Sequence, residues 1–480
     1  MIAADTVAAA VKPLCVDLDG TLIASDLLLE SLLLLLKRNP LYLLRIPLWL
    51  LRGRACLKAE IAARVTLNPV ALPYNKALLE WLKTQRGAGR PLWLCTAADR
   101  RPAAAVADHL GLFDGILASD GRVNLAGETK ATALAQRFGE RGFDYCGNEL
   151  RDLAIWRRAN GAIVVRGSPA LERTVARDTP VLRSFPPNRS RLAALVRALR
   201  PHQWAKNVLV FVPLAAAHRL ADGGALTAGV LAFAAFSLCA SSVYVLNDLL
   251  DLASDRAHPR KSRRPFAAGD APILAGLALA PLLLAAAAGL CVLLPPKFAL
   301  VLAAYYVLTT AYSFRLKSVV MVDTLVLAGL YTLRVSGGAE AVPVALSFWL
   351  MIFSVFLFLS LAFVKRFAEL ESLRQQQRLK AAGRGYVVED LSILQSLGGA
   401  AGYLSVLVLA LYINSPDISA LYRHPKVIWL LCVLMLYWVS RMWMVAQRGR
   451  MHDDPVVFAL KDRVSLVVGL LAVITVVLAV

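Results

Sequence analysis

Long apolar segments after residue 200 restrict the possible folds of this chain more than any other feature of its sequence. Each is about 16–24 residues long, close to the roughly 20 residues with which an α-helix crosses a bilayer. The segments lie at about 205–219, 225–246, 272–294, 297–312, 320–338, 343–364, 392–412, 426–445 and 464–480. The sequence therefore predicts an all-α integral membrane bundle of nine transmembrane helices over residues 201–480.

The composition excludes a single soluble domain and a disordered chain. Hydrophobic residues make up 58% of the 480 residues, charged residues make up 18%, and the mean hydropathy is +0.58. The formal charge of +20 on so apolar a chain indicates basic inner loops and contact with anionic lipid, rather than with nucleic acid. The basic residues concentrate in the loops that lie inside if the N-terminus is cytoplasmic. We therefore expect a multi-pass protein of the inner, cytoplasmic membrane whose N-terminal domain and active sites face the cytoplasm.

The cysteines and the N-terminus agree with a cytoplasmic location for the first domain. Seven cysteines are scattered without a CxxC pair, which is typical of a reducing compartment and not of a disulfide framework or a zinc site. The chain opens with "MIAAD", so no cleaved signal is apparent. The sequence is also compatible with an oligomer.

Residues 1–177 have a different pattern, in which short apolar runs alternate with polar helical stretches. This alternation favours an α/β, Rossmann-like domain with a parallel sheet and helices on both faces. The predicted strands lie in "PLCVDLDGTL", "RPLWLCTAAD", "FDGILASDG", "FDYCGNELRD" and "GAIVVRGSP". Residues 178–200, which include "FPPNRS", predict a linker and a basic helix at the membrane surface.

An apolar stretch at 27–51 has the length of a membrane span, but it is interrupted by Lys37, Arg38, Pro40, Arg45 and Pro47. A spanning helix does not readily tolerate such charges. We therefore predict a helical cap at about 27–75 whose apolar face rests on the membrane surface. An ordinary buried cap is the alternative.

The segment "VDLDGTL" places Asp17 and Asp19 just after a predicted strand, where open α/β sheets build their sites. Two acids at this spacing can reach one metal ion if the chain turns, and Gly20 supplies the turn. With "LCTAAD", "GETKATAL" and "GNELRD" following in order, the domain resembles the haloacid dehalogenase superfamily of phosphatases.

That resemblance implies a role for each matching residue. Asp17 is the nucleophile, Asp19 the acid and base, Thr96 the phosphate-binding hydroxyl, Lys130 the cation that neutralises phosphate, and Asp152 a Mg²⁺ ligand beside Asp17 and Asp19. The family's fourth motif usually begins Gly-Asp, but here it begins with Gly147 and Asn148, so one carboxylate is missing. A degenerate domain that only docks or regulates is the alternative.

A second acidic motif follows the second apolar segment, where Asn247, Asp248, Asp251 and Asp255 form N-D-x-x-D-x-x-x-D. On one continuous helix, positions 247, 251 and 255 share a face. Like charges four residues apart oppose helix stability, and a Mg²⁺ ion between them removes that cost and binds a diphosphate. The motif therefore predicts a magnesium–diphosphate site, with a solvated acidic patch as the alternative.

This motif resembles that of the UbiA superfamily of intramembrane prenyltransferases, over roughly residues 195–480. The segments "RPHQWAKN" at 200–207 and "YSFRLK" at 312–317 resemble the opening of the first helix and the loop after the fourth. Members that use prenyl diphosphates carry a second aspartate-rich motif after the sixth helix. Here that segment reads "FVKRFAEL", so Lys365 and Arg366 replace acids.

Cations in place of acids favour a donor with one metal-bound diphosphate and a further phosphate held directly by Lys and Arg. Phosphoribosyl pyrophosphate is such a donor. Together with "MHDDPVVFALKDR", the motifs look like the decaprenyl-phosphate phosphoribosyltransferase branch, which transfers 5-phosphoribosyl to a polyprenyl phosphate and releases pyrophosphate. The fused N-terminal domain would then remove the 5-phosphate of the lipid product.

The resemblance implies that Asn247, Asp251 and Asp255 hold Mg²⁺ and that Lys206 binds the acceptor phosphate. The other predicted substrate-binding residues are Asp248, Arg256, Lys261, Arg264, Tyr312, Lys317, Lys365 and Arg366. For each cation, ordinary inner-loop charge is the alternative.

Two other functions remain open. A prenyl diphosphate enzyme with an aromatic or other acceptor would need a second acidic cluster, for which Glu369, Glu371, Glu389 and Asp390 are a poor version. A transporter or scaffold for lipid phosphates, with a non-catalytic N-terminal domain, would be supported by charges within spans. Arg334 is the clearest of these, and it either pairs with Glu340 or faces a cavity.

Overall fold

The computed structural model describes residues 11–187, 189–342, 344, 347–378, 384–415, 422–451 and 454–479. Packing of the backbone divides the chain into two compact units. The first comprises Met1–Ala198 and Val245–Leu279, and the second Leu199–Tyr244 and Ala280–Val480. The segment that contains the second acidic motif therefore belongs to the same unit as the N-terminal domain, whereas the sequence assigns it to the membrane domain.

The first unit contains a six-stranded parallel sheet. Its strands are β1 (Leu14–Val16), β2 (Leu92–Asp99), β3 (Gly115–Ser119), β4 (Asp144–Gly147), β5 (Gly161–Val165) and β6 (Val181–Phe185). Their spatial order is β3-β2-β1-β4-β5-β6, and Cys15 of β1 pairs with Trp93 on one side and with Tyr145 on the other. The five strands predicted from the sequence are present.

Strand β6 lies within the segment 178–200 for which the sequence predicts a linker, so the sheet continues beyond the predicted boundary at 177. Its polar and exposed residues explain the error. Leu182 is 54% exposed, as the outermost position of the strand permits, and prolines flank the strand on both sides. A short strand at a sheet edge lacks the continuous apolar run that reveals a central one.

Both faces of the sheet are buried, as its central strands require. Leu14 and Val16 of β1 pack in one apolar cluster, and Cys15 between them packs in another. This alternation follows from the two-residue repeat of a strand.

Helices cover the sheet and form the predicted cap between β1 and β2. They are α1 (Leu27–Arg38), α2 (Ile46–Leu51), α3 (Arg54–Ala62), α4 (Lys76–Gly87), α5 (Arg100–Leu110), α6 (Glu128–Phe138), α7 (Leu153–Trp156), α8 (Pro169–Val175) and α9 (Arg191–Ala198), with 3₁₀ turns at Pro40–Leu44, Pro69–Ala71 and Leu150–Asp152. At the start of helix α1, the Asp26 carboxylate accepts a hydrogen bond from the backbone N–H of Leu29. Lys37 and Arg38 lie in its last turn, where their positive charges interact favourably with the helix dipole.

The cap has a small core of its own and a leucine-rich surface. Leu35, Trp49 and Ile61 are buried together. Leu44 and Leu51 are 74% and 84% exposed, and their apolar neighbours are also exposed. The contact of this surface with the membrane stays a prediction.

The second unit is helical, and the rest of the first unit, Val245–Leu279, is helical as well. The remaining helices are α10 (Val212–Ala216), α11 (Gly223–Leu250), α12 (Leu252–Ala257), α13 (Ile273–Cys291), α14 (Pro296–Phe314), α15 (Val322–Ala341), α16 (Phe348–Gln375), α17 (Leu391–Ile413), α18 (Leu430–Gln447), α19 (Pro455–Ala459) and α20 (Arg463–Ala479), with 3₁₀ segments at Pro201–Phe211, Lys261–Arg263, Leu316–Ser318, Val388–Asp390 and Val427–Trp429.

Within the described ranges, six helical segments are long and apolar enough to cross a membrane, so the predicted count of nine is not confirmed. The three other predicted spans differ from these in length or charge. The first is a 3₁₀ segment followed by the short α10, and the last is the 17-residue α20. The fifth, α15, carries Asp323, Arg334 and Glu340, which lower its mean hydropathy.

Gly338 of α15 allows a close approach between two segments of the second unit. A Cβ atom at this position would lie 1.9 Å from the carbonyl oxygen of Val210, which is a backbone atom and cannot rotate away. We expect Gly338→Ala to destabilise the protein by about 1–3 kcal/mol, the usual cost of overpacking, measured as a lower melting temperature in detergent.

Gly469→Ala is the matched control, because no neighbouring heavy atom lies within 4 Å of the added Cβ in α20. The control should melt no earlier than the wild type, since alanine favours a helix over glycine. Equal melting of the Gly338→Ala variant and the wild type would show that the close approach is absent.

Candidate active sites

The predicted phosphatase residues lie just after β1 and β4, within β2 and near the start of α6. The Lys130 ammonium donates to Asp17 Oδ1 at 2.8 Å and to the Tyr145 hydroxyl at 2.9 Å, and all three side chains are buried. The buried Thr96 hydroxyl accepts the backbone N–H of Ala98 at 3.0 Å. The structure thus brings Asp17 and Lys130 into direct contact, and their roles as nucleophile and phosphate-neutralising cation stay predictions.

Both oxygens of the Asp152 carboxylate accept hydrogen bonds from its own loop or from β4. Its Oδ2 accepts the backbone N–H groups of Asn148 and Glu149 at 2.9 and 3.1 Å, and its Oδ1 accepts the Tyr145 hydroxyl at 3.2 Å. Among the residues that the structure describes, no three Asp, Glu, His or Cys side chains are grouped as a metal site would require. The predicted magnesium role of Asp152 therefore stays a prediction.

Asn148, which stands where the family has an acid, is also engaged. Its side-chain oxygen accepts the Thr21 hydroxyl at 3.2 Å, and its amide lies so close to Gly20 that a Cβ there would be 2.2 Å from it. Gly20 has φ of +75°, so it makes the turn after Asp19 that the sequence predicts.

Burial raises the pKa of both carboxyl groups of the first motif. It raises the pKa of Asp17 to about 6, although the Lys130 ammonium opposes the shift. Burial, with the nearby charge of Asp26, raises the pKa of Asp19 well above its ordinary value, and the backbone N–H of Leu27 donates to Asp19 at 2.8 Å. A raised pKa favours the protonated carboxyl, which suits the predicted role of Asp19 as a proton donor.

Tyr145 was not predicted as a site residue, although it contacts both Lys130 and Asp152. It lies on β4 two residues before Gly147, so it shares a face with the position at which the loop begins. A polar aromatic within a buried strand is the signal in the sequence that reveals it.

The helix that carries the second acidic motif is interrupted at Asp251. The backbone N–H groups of Asp251 and Asp255 still donate to the carbonyls of Asn247 and Asp251 at 2.9 and 2.8 Å, so the common face of Asn247, Asp251 and Asp255 stays a prediction. Helix α11 ends at Leu250, Asp251 has φ of −107° and ψ of 16°, and α12 begins at Leu252. The Lys37 ammonium donates to the last carbonyl of α11 at 2.9 Å and to Asp251 Oδ1 at 2.7 Å. This cation stabilises the end of the helix.

The carboxylates of Asp248 and Asp255 both contact the guanidinium of Arg264. Asp248 Oδ1 and Asp255 Oδ2 lie 3.1 and 2.6 Å from the same nitrogen, Nη1 of Arg264, and both carboxylates are buried. Two buried carboxylates that face one positive charge fit a divalent cation, since oxygen ligands are those that Mg²⁺ prefers. Asp248 is therefore a candidate ligand together with Asp255, whereas the sequence predicts only a substrate-binding role for it.

Arg256, predicted to bind phosphate, is held by the cap. Its guanidinium donates to both oxygens of Glu30 at 2.8 and 2.6 Å and to the carbonyl of Ala267 at 2.9 Å. Both partners of the ion pair are buried, and Glu30 also accepts the Ser25 hydroxyl. This paired geometry ties α1 of the cap to the acidic segment within the first unit.

Glu30→Gln should loosen that segment. Removing one partner of a buried ion pair leaves an uncompensated charge and costs about 3 kcal/mol or more. We expect faster hydrogen–deuterium exchange over residues 252–267 in this variant. In Glu80→Gln, which loses only an exposed pair with Lys83, exchange there should match the wild type. Unchanged exchange in Glu30→Gln would exclude a stabilising role for the pair.

Two predicted phosphate-binding lysines meet in the second unit. The ammonium groups of Lys206 and Lys365 lie 2.9 and 2.7 Å from Asp454 Oδ2, and the Tyr331 hydroxyl donates to Asp454 Oδ1 at 2.8 Å. Burial opposes ionisation of Asp454, but the Lys365 and Lys206 charges outweigh it and hold its pKa well below the usual range. The sequence predicts no role for Asp454, which lies in the segment "MHDDPVVFALKDR", and residues 452 and 453 of that segment lie outside the described residues.

Arg366 and Tyr312 belong to a separate network. Arg366 Nε lies 2.6 Å from Asp323 Oδ2, its guanidinium also pairs with Glu369, and its Nη2 donates to the Tyr312 hydroxyl at 2.9 Å. Arg384 donates to Glu369 at 3.2 Å and to Tyr312 at 3.2 Å. The acids of this network are thus neutralised by arginines. Lys261 and Lys317, also predicted to bind substrate, lie in the 3₁₀ turns after α12 and α14.

Comparison with known proteins identifies the helical part. A model of the UbiA prenyltransferase family matches residues 208–466. An uncharacterized protein, y4nM, of Sinorhizobium fredii is 38% identical over 461 residues, covering 96% of this chain and 89% of that one. The decaprenyl-phosphate phosphoribosyltransferase of Mycolicibacterium smegmatis is 34% identical over 222 residues, covering 45% of this chain and 69% of that one.

Among solved structures, a UbiA homolog from Archaeoglobus fulgidus bound to DMAPP and Mg²⁺ aligns with a TM-score of 0.46 at 14% identity, over 60% of this chain and 97% of that one. The family match covers more than half of the 480 residues, and all six long apolar helices lie within it. The chain is therefore a multi-pass membrane protein that belongs to the UbiA prenyltransferase family.

Proposed function

We propose that the chain transfers 5-phosphoribosyl from phosphoribosyl pyrophosphate to a polyprenyl phosphate at the cytoplasmic face of the inner membrane and releases pyrophosphate. We further propose that the N-terminal domain is a phosphatase of the haloacid dehalogenase type that removes the 5-phosphate of the lipid product. The name of the Mycolicibacterium smegmatis relative supports the first reaction.

The observation that carries the proposed metal–diphosphate site is the convergence of Asp248 and Asp255 on one cationic nitrogen. When bound there, Mg²⁺ would neutralise the charge that develops on a departing pyrophosphate. Asp248 and Asp255 would hold it, with Asn247 and Asp251 next to them in the sequence. Arg264 lies at the same point and would neutralise further phosphate charge once released from the acids.

The network around Arg366 favours a phosphoribosyl donor over a prenyl diphosphate. A second metal at that position would need acids available to bind it. Asp323 and Glu369 are balanced by two arginines, Arg366 and Arg384, whereas Asp248 and Asp255 share the single Arg264. Such a region suits direct contact with a phosphate rather than another metal ion.

The proposed transfer needs no general base. The bond between ribose C1 and the pyrophosphate oxygen breaks, and the pyrophosphate leaves with the bonding electrons. An oxygen of the lipid phosphate forms the new bond to C1. Because that oxygen is already anionic, no proton has to be removed, which agrees with the absence of an obvious base among the predicted residues.

The proposed second reaction uses the contact between Asp17 and Lys130. Asp17 would attack the 5-phosphate while Lys130 neutralises the phosphoryl oxygens, and Asp19 would give a proton to the leaving 5-hydroxyl. Water then releases phosphate from Asp17, with Asp19 accepting the proton. Fusion in one chain keeps the phosphatase at a high effective concentration near its lipid substrate.

Incubation of the purified protein with Mg²⁺, a polyprenyl phosphate and radiolabelled phosphoribosyl pyrophosphate tests the first reaction. We expect a labelled lipid and stoichiometric pyrophosphate. A parallel reaction with a labelled prenyl diphosphate and an aromatic acceptor should give no product. Product only in the parallel reaction would replace this proposal with an ordinary prenyltransferase, and no product in either would favour a transporter or scaffold.

A further inference from the structure

The cluster around Asp454 contains more positive than negative charge. Lys206 and Lys365 both contact this single carboxylate. The ring of Tyr331, which donates its hydroxyl to Asp454, lies 5.9 Å from the Lys206 ammonium and 5.5 Å from the guanidinium of Arg334. Among the residues that the structure describes, two cations therefore contact this acid, and a third lies beside Tyr331.

Arg334 is buried in α15, and its hydrogen-bond partners are neutral. It donates to the side-chain oxygen of Asn207 at 2.7 Å, to the carbonyl of Leu330 at 2.6 Å and to the Tyr305 hydroxyl at 2.8 Å. These bonds fix the guanidinium without neutralising it. The prediction that Arg334 pairs with Glu340 does not agree with these contacts.

An excess of positive charge on largely buried side chains of a membrane protein is costly unless an anion balances it. A phosphate monoester carries close to two negative charges at neutral pH and three acceptor oxygens. Its charge matches the excess here, and lysine ammonium groups with a tyrosine hydroxyl are suitable donors to its oxygens.

We propose that Lys206, Lys365 and Tyr331 bind a phosphate monoester beside Arg334, and that Asp454 is a built-in counter-ion that the phosphate displaces. The carboxylate now holds the donors that the phosphate would use, so the site is assembled before its ligand arrives. This rests on the proposed function, in which the lipid phosphate and the 5-phosphate of the donor are both monoesters.

Binding of farnesyl phosphate to the purified full-length protein without Mg²⁺ tests the site directly. Lys206→Met and Lys365→Met keep most of the side-chain length but remove the charge, and each should weaken binding about tenfold or more. Asp454→Asn should tighten binding about threefold or more, because it removes a competing negative charge. Asparagine retains the helix-capping bond that Asp454 makes to Val456, so this variant should fold.

Lys297→Met, at an exposed lysine in α14, is the matched control and should bind as the wild type does. A second titration with ribose 5-phosphate distinguishes the two sources of the monoester, because the lysine variants should affect only the ligand that occupies the site. Equal binding of both ligands by the lysine variants and the wild type would overturn the proposal. So would weaker binding by Asp454→Asn, since a displaced counter-ion cannot be required for affinity.

The titration is independent of turnover. If phosphoribosyl transfer is absent but farnesyl phosphate binds through Lys206, the proposed function fails and the phosphate site stands. If transfer occurs but the lysine variants bind normally, the proposed function stands and the site fails.

Discussion

Asp255→Asn is expected to lower phosphoribosyl transfer by about a thousandfold while leaving the protein folded. Asp255 is 1% exposed, and its Oδ2 lies 2.6 Å from the guanidinium of Arg264. Asparagine keeps the volume and one oxygen but removes the charge that faces the cation. The remaining acid, Asp248, still pairs with Arg264, so the variant leaves no unpaired arginine.

Two measurements separate this effect from unfolding. The melting temperature in detergent should stay close to that of the wild type, and Mn²⁺ binding, followed by electron paramagnetic resonance, should weaken. Asp222→Asn makes the same change just before the opposite end of α11, where the side chain caps the helix, and it should retain full activity. Wild-type transfer and Mn²⁺ affinity in Asp255→Asn would remove this residue from the metal site.

Asp17→Asn is expected to abolish the phosphatase step and to cause the 5-phosphorylated lipid to accumulate. Asp17 contacts Lys130 at 2.8 Å, and the amide that replaces it cannot attack phosphorus. We expect release of inorganic phosphate to fall by about a thousandfold or more, whereas pyrophosphate release should be unchanged. Mass spectrometry of the lipid products measures both reactions in one sample.

Asp178→Asn is the control, because this acid forms only an exposed pair with Arg157 in the same domain. Its products should match those of the wild type. If Asp17→Asn yields the same dephosphorylated lipid as the wild type, the N-terminal domain does not act on that lipid, and a docking or regulatory role becomes the better explanation.

The sequence predicts the sheet well where its strands are buried on both faces. Strands β1, β4 and β5 are almost entirely buried, so their apolar runs reveal them. Strand β6 was missed because its residues are partly exposed and two prolines follow it. The order of the strands depends on pairings between distant segments, which a local pattern does not specify.

The sequence predicts which types of residue form the sites, but it does not predict which of these residues contact one another. Asp251 is bound by Lys37, and these residues are 214 positions apart in the sequence. Lys206 and Asp454 are separated by 248 positions, and Arg256 and Glu30 by 226. A motif shows which groups can bind a metal or a phosphate, but tertiary packing decides which of them meet.

A cryo-electron microscopy structure of the protein with Mg²⁺ and phosphoribosyl pyrophosphate tests the central claim most directly. We predict one divalent cation held by Asp248 and Asp255 on the pyrophosphate, and the 5-phosphate contacted by lysine or arginine without a metal ion. Two metal ions on the diphosphate, or a pocket that excludes this donor and accepts a prenyl diphosphate, would contradict the account.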